Sequence, residues 1–213
     1  MMTAYDKVYL EKARVSLGRM LDFAVYDLKY RLEDFFELFI YSGVAELFGE
    51  GDFSVIAGKS GVELAYLVLD RSGVEYQRIK PNYTSSRSEE YWLGWALAYY
   101  QWYSCRSFDE IVRLIPISDI LALYSPYHEM DIRQFADKMS ELCHAVEPQT
   151  KLKLMRQRAG LSQSELAEAS GVPLRTIQQY EQRQKSINKA QAEYLVMLAR
   201  ALCCEVEELM EKI

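Results

Sequence analysis

The sequence predicts an all-α protein built from two domains, and three observations lead to this prediction. The chain has 213 residues, a length that suits one or two domains. Its 10 glycines and 5 prolines are too few for the closely spaced turns of an all-β sandwich. Apolar residues recur three or four positions apart over much of the chain, which is the period of an amphipathic helix. We therefore expect an N-terminal helical bundle followed by a smaller helical domain.

The first four predicted elements follow from apolar periodicity and its interruptions. Residues 6–28 are expected to form a long helix, and residues 35–48 one or two short buried helices. Residues 60–69 read as a further helix that ends at Gly73, where glycine allows a left-handed C-cap. Residues 74–86 have no helical period and are expected to form an extended connector.

The rest of the N-terminal half contains helix-start signals. Ser88 is a suitable N-cap for a helix over residues 91–103 that carries many aromatic side chains. Ser107 opens a capping box, and the segment 131–146 again has a helical period. We expect six to eight helices in this half.

A domain boundary is predicted where proline interrupts the chain. Pro148 disfavours helix at the residue before it, so residues 147–150 are expected to be a linker. This divides the chain into an N-terminal domain over residues 1–146 and a C-terminal domain over residues 151–213.

The charge is distributed unevenly between the two parts. The whole chain carries −6, but residues 1–150 carry −8 and residues 151–213 carry +2. Residues 151–190 alone hold eight lysines and arginines against three glutamates. Such asymmetry indicates an acidic module joined to a basic module that meets a polyanion.

The basic segment contains the signature of two helices joined by a short turn. Gly160 is placed to end one helix, and Ser162 with Glu165 forms a capping box that starts the next. Gly171 then ends that second helix, and Pro173 suits the first turn of a third. The order is helix, short turn, helix.

The third helix has one apolar side and one polar side. With Ile177 at the centre of the buried side, Tyr180 and Glu181 lie near it. The side chains expected to point away are Arg175, Gln179 and Gln182 and, more obliquely, Gln178 and Arg183. Glutamine can pair with adenine and arginine with guanine in the DNA major groove. Taken alone, the glutamines also fit an ordinary solvated helix face.

Residues 151–209 resemble the Xre-type helix-turn-helix family, which includes phage Cro and lambda-type repressors. The matching positions are Leu152-Lys153, Met155-Arg156, Gly160-Leu161-Ser162-Gln163, Leu166-Ala167, Gly171-Val172, Thr176-Ile177, Tyr180-Glu181 and residues 195–202. The resemblance implies a five-helix, lambda-repressor-like DNA-binding domain. In it, residues 162–169 would lie across the DNA backbone and residues 173–182 would be the recognition helix.

The resemblance also implies roles for individual residues. Gln163 and Thr176 become phosphate contacts, and Leu174, Arg175 and Gln179 become base contacts. We add Gln178 for its outward direction. Arg183 replaces a glycine usual in the family, and we expect it and Lys185 to contact phosphate. Cys203 replaces a second usual glycine, a change expected to lower helix-end stability.

We predict no catalytic, metal or cofactor site. The four cysteines lack CxxC spacing, and only His128 and His144 could join them in a metal site. The same two histidines give no nucleophile–base arrangement. The charged N-terminus lacks an apolar core, and no stretch approaches 18 uncharged apolar residues. We therefore expect a cytoplasmic protein without signal peptide or membrane span, and not an enzyme.

The aromatic side chains of the helix over residues 91–103 form one helical stripe, and we interpret this stripe as part of the core. The alternative is that it forms a surface for a binding partner. Trp95, Tyr100 and Tyr103 are our candidates for partner contact. We also expect a homodimer, since one module of this kind buries little surface on DNA.

Much of the chain also resembles uncharacterised bacterial regulators that look like antitoxins of toxin–antitoxin loci, some beside ADP-ribosyltransferase-like toxins. This resemblance is carried by residues 90–103, Leu38-Phe39, residues 45–49 and residues 186–191. It implies a transcriptional repressor that binds double-stranded DNA sequence-specifically. The N-terminal domain of this repressor would bind a toxin protein. The alternative is that the N-terminal domain is mainly a protein–protein or sensing module, with DNA binding secondary.

Overall fold

A computed structural model describes residues 3–82, 86–146 and 149–211, and it confirms an all-α protein. Within these ranges every regular element is a helix, and none is long and apolar enough to cross a membrane. The chain divides into two compact units, Met1–Val146 and Glu147–Ile213. Each unit is described by itself.

The described part of the first unit contains ten α-helices. They are α1 (Leu10–Asp22), α2 (Leu32–Tyr41), α3 (Val44–Glu50), α4 (Phe53–Ile56), α5 (Gly61–Ser72), α6 (Glu89–Ser104), α7 (Phe108–Leu114), α8 (Ile117–Leu121), α9 (Tyr124–Tyr127) and α10 (Ile132–Val146). A π-helix, Phe23–Asp27, continues α1 directly. The prediction of six to eight helices is too low, because α4, α8 and α9 have only four or five residues, too few to display a helical period.

Helix α1 lies at the centre of the first unit and packs against α5 and α6. Glycines allow the backbones of α1 and α6 to come close. A Cβ on Gly94 would lie 2.6 Å from the carbonyl oxygen of Leu17, and a Cβ on Gly18 would lie 2.7 Å from that of Tyr91. Because backbone atoms cannot move aside as a side-chain tip can, these two positions admit only glycine at the observed separation.

Four buried phenylalanines from α2, α3 and α7 form a second part of the core. Phe36, Phe39, Phe48 and Phe108 contact one another edge to face, with ring centroids 5.3 to 6.3 Å apart. The predicted capping box at Ser107 is present and starts α7 beside this cluster. The cluster thereby fixes α7 against α2 and α3.

Helix α6 is covered on more than one side, and this corrects one predicted partner contact. The helix packs against α1 and also against α8, α9 and α10. Tyr100 faces α10, is 1% exposed, and donates a hydrogen bond to the Cys143 Sγ at 3.5 Å. Burial raises the pKa of the Tyr100 hydroxyl. The prediction that Tyr100 contacts a partner is wrong, because α10 occupies the space a partner would need.

The other two partner candidates on α6 remain half-buried. Trp95 and Tyr103 lie on the side of α6 that carries Tyr99, whose ring stacks with that of Tyr103. The guanidinium of Arg14, from α1, lies 3.3 Å from the centroid of the Trp95 ring, in a cation–π contact. Burial lowers the pKa of Arg14, and Glu11 opposes that shift by pairing with it.

The second unit contains five α-helices among its described residues, as the family resemblance implies. They are α11 (Lys151–Arg158), α12 (Gln163–Ser170), α13 (Leu174–Glu181), α14 (Ala192–Leu202) and α15 (Val206–Leu209). The predicted second and third helices differ from α12 and α13 by one residue at each end. A small apolar core joins all five helices, with Leu166, Ile177 and Leu198 fully buried at its centre.

Candidate DNA-binding surface

Helices α12 and α13 are joined by a three-residue turn. Ser162 caps α12, with both hydrogen bonds of the predicted capping box to Glu165. These bonds lower the pKa of Glu165, since they stabilise its carboxylate. At the other end Gly171 takes the left-handed conformation, φ 73°, and its N–H donates to the carbonyl of Ala167 at 2.9 Å. The chain can therefore reverse direction between the two helices.

The apolar side of α13 is the predicted one. Ile177, Tyr180 and Glu181 are buried. Leu174, Arg175 and Gln182 are exposed, and Thr176, Gln178 and Gln179 are half-buried. The structure therefore places Leu174, Arg175, Thr176, Gln178 and Gln179 on one short helix that presents hydrogen-bonding side chains to its surroundings. Their contacts with bases or phosphates stay predictions.

A buried ion pair anchors α13 to α11. The Nε of Arg156 donates to Glu181 Oε1 at 2.6 Å, and its Nη2 donates to Oε2 at 2.9 Å. The third arm, Nη1, donates to the carbonyl of Leu161 at 2.7 Å. Both side chains are about nine-tenths buried or more, and hydrogen bonding to Glu181 raises the pKa of Arg156. Each of the three guanidinium nitrogens donates one hydrogen bond to an acceptor of the same unit, which restricts the side chain to one orientation.

Gln163, the first residue of α12, joins the same network. Its Nε2 donates to Glu181 Oε2 at 2.7 Å, so one carboxylate links α11, α12 and α13. The contact between Gln163 and a DNA phosphate remains a prediction. The second N–H of the Gln163 amide would have to make that contact. The link itself was not predicted from the sequence. The sequence nonetheless contains a signal for this ion pair, because Arg156 and Glu181 carry opposite charges and each lies on the apolar face of its helix.

The segment after α13 presents the two remaining predicted residues. Arg183 takes the left-handed conformation, φ 54°, where the family usually has glycine. Its Nη1 lies 4.0 Å from Glu211 Oε2. Lys185 is exposed, and its backbone N–H donates to the carbonyl of Gln179 at 3.1 Å. Both residues therefore lie directly beyond the C-terminal end of α13.

The end of α14 repeats this conformation without glycine. Cys203 is the C-cap residue, with φ 51°. A residue with a Cβ is strained in this region, which is consistent with the expected loss of helix-end stability, and the size of that loss stays a prediction.

The segment that contains α13, residues 151–190, carries more positive than negative charge. Because Arg156 and Glu181 neutralise each other internally, seven bases of residues 151–190 remain against Glu165 and Glu168, and one of those bases, Arg183, lies beside Glu211. Among the described residues of the whole chain, no group of three or more histidine, cysteine, aspartate or glutamate side chains is placed to hold a metal ion.

Comparison with known families agrees with this geometry. Residues 152–209 match the helix-turn-helix family, and this segment spans all five helices of the second unit. The chain matches no curated protein and no solved structure. The first unit thus has no recognised relative in these comparisons. The match covers the second unit alone, where it supports an Xre-like helix-turn-helix domain of a DNA-binding transcription regulator.

Proposed function

We propose that the protein is a sequence-specific repressor that reads its operator with α13. The observation that carries this proposal is the pairing of an outward polar face on α13 with a rigid anchor beneath it, the Arg156–Glu181 ion pair. Because the ion pair holds α13 in place, little backbone ordering is needed on binding, and this lowers the entropy cost of forming the complex. Arg175 would read guanine, Gln178 and Gln179 would read adenine, and Leu174 would contact a thymine methyl group.

The test uses an operator selected from random DNA with the full chain. Arg175→Ala should weaken binding to that operator by about 1–3 kcal/mol and relax the preference at one base position. Arg200→Ala is the matched control, because Arg200 is also an exposed arginine and lies on α14. It should change affinity little. Equal loss by Arg175→Ala on operator and random DNA would assign Arg175 to a phosphate and remove it from base recognition.

The repressor is proposed to bind as a homodimer. A single module of this kind buries about 600–1,000 Å² of protein surface on DNA, and pairing on two half-sites one helical turn apart supplies the missing affinity. Sedimentation of the free protein and of its operator complex measures this. A monomer in both states at micromolar concentration would overturn the dimer.

For the first unit we propose capture of a basic protein, in the manner of an antitoxin, with no reaction catalysed by the chain. The support is its acidic charge together with the half-buried Trp95 and Tyr103. Complementary charge accelerates association, and aromatic side chains supply anchoring energy at an interface. The second unit would then repress the promoter shared with that partner.

Co-expression of the full chain with the product of the adjacent gene tests this role. Co-purification and loss of the partner's toxicity are expected, and Trp95→Ala with Tyr103→Ala should weaken both. Tyr41→Ala is the control, since Tyr41 is 79% exposed elsewhere on the unit. If the partner neither co-purifies nor loses toxicity, the antitoxin role is wrong. A repressor with a sensing or dimerising first unit would then be the better description.

A further inference from the structure

A cavity of 520 Å³ lies in the first unit between α3, the end of α6 and α7. Ile40, Ala45 and Phe108 contribute apolar wall. The phenylalanine cluster that contains Phe108 holds this wall in place. All lining residues belong to the first unit, so the cavity is distinct from the DNA-binding surface.

At the cavity one buried side chain is incompletely hydrogen-bonded. Gln101, on α6, is 2% exposed and lines the cavity. Its Nε2 donates to the carbonyl of Gly49 at 3.2 Å, whereas its Oε1 has no hydrogen-bond partner among the described residues. A buried acceptor without a donor costs stability, so a donor group from a ligand would be favourable here.

Two carboxylates of α3 face the same cavity. Glu46 and Glu50 are one turn apart, are exposed, and form no hydrogen bond or ion pair with any other described residue. The other charged groups at the cavity are engaged. Asp109 Oδ2 and Arg113 Nη2 form an ion pair at 2.7 Å, and Arg106 also has an interaction partner.

We infer that this cavity binds an organic cation, an ammonium or guanidinium group on a short apolar chain. The Gln101 amide oxygen is a buried acceptor without a donor, and the carboxylates of Glu46 and Glu50 are exposed acceptors without a protein partner among the described residues, so the matching ligand is a donor with positive charge. Its N–H would satisfy Gln101, its charge would face α3, and its methylene groups would contact Phe108. The inference is independent of the proposed DNA binding and of the proposed partner.

Titration of the full chain, followed by NMR, tests the site with three probes. Agmatine and n-butylammonium should give saturable shifts of the Gly49 amide and the Gln101 side-chain amide. Neutral n-butanol, which has the same apolar chain, should not. The paired substitution Glu46→Gln with Glu50→Gln should raise the Kd for agmatine about fivefold or more, because it removes both charges but leaves their shape.

Controls separate this site from general attraction of cations to an acidic protein. Asp119→Asn with Asp137→Asn removes the same charge at two exposed positions outside the cavity and should leave the Kd unchanged. Gln101→Met should weaken binding without a change in charge. Equal effects of both charge pairs, equal binding of n-butanol, or no saturation up to about 10 mM agmatine would overturn the inference.

Discussion

Helices α6 and α13 differ in how much of their circumference is covered. Ten of the 16 residues of α6 are buried, because α1 lies on one side and α8, α9 and α10 lie on others. Only Ile177, Tyr180 and Glu181 of α13 are buried. A helix covered on one side displays the division between core and surface in its own sequence. A helix covered on several sides does not, and its aromatic residues cannot be assigned to core or surface by periodicity.

The two helices are also held by different forces. Close backbone approach at Gly18 and Gly94 positions α6, whereas a hydrogen-bonded ion pair positions α13. Each mode predicts a different response to substitution.

The largest effect is expected at the anchor of α13. Glu181→Ala leaves the Arg156 charge buried without its partner and should destabilise the second unit by about 3–5 kcal/mol. Amide hydrogen exchange in α11–α15 measures this loss. Tryptophan fluorescence should barely change, because all 3 tryptophans lie in the first unit.

The double variant Arg156→Met with Glu181→Leu should recover much of the stability of the second unit. Glu168→Ala, a substitution at an exposed site on α12, should cost little stability. No recovery in the double variant would contradict the ion-pair explanation.

A comparable loss is expected for the buried tyrosine of α6. Tyr100→Ala opens a cavity against α10 and should cost about 3–5 kcal/mol, as other buried aromatic truncations do. Tyr103→Ala, three residues later on the half-buried side, should cost well under half as much. Urea unfolding followed by tryptophan fluorescence compares the two. Similar losses would mean that the two sides of α6 are equally buried.

A smaller loss is expected where α6 meets α1. Gly94→Ala forces the backbones of these helices apart and should destabilise the first unit by about 1–3 kcal/mol, despite the higher helix propensity of alanine. Gly49→Ala is the matched substitution on α3, where the new Cβ meets only the end of the Gln101 side chain, at 3.3 Å. It should change the unfolding free energy by less than about 0.5 kcal/mol. A neutral Gly94→Ala would show that the approach of α1 and α6 is not needed for stability.

The smallest effect, and one of opposite sign, is expected beyond α13. Arg183→Gly relieves left-handed strain and should stabilise the second unit by about 0.5–1 kcal/mol. It should also weaken DNA binding and reduce the salt dependence by about one ion, as loss of a phosphate contact does. Lys185→Ala, where φ is not positive, should weaken binding without stabilising the domain. Unchanged DNA affinity in Arg183→Gly would remove Arg183 from the interface.

The sequence by itself determined α12 and α13, the side of α13 that is buried, and the start of α7. The capping boxes at Ser162 and Ser107, the left-handed glycine at position 171 and the apolar period around Ile177 are local signals, each complete within a few residues. Such signals need no knowledge of the rest of the chain, because the hydrogen bonds involved join residues close in sequence.

Only the tertiary structure decided which groups meet across long stretches of chain. Tyr100 is buried because α10, some forty residues later, covers it. Arg156 and Glu181 are partners because α11 and α13 pack together, and the Gln101 cavity exists because α3 and α7 flank the end of α6. The period of apolar residues predicts that a helix has an apolar side. Whether a given side chain is buried depends on which other helices cover it. Those neighbours are set by packing between elements distant in sequence.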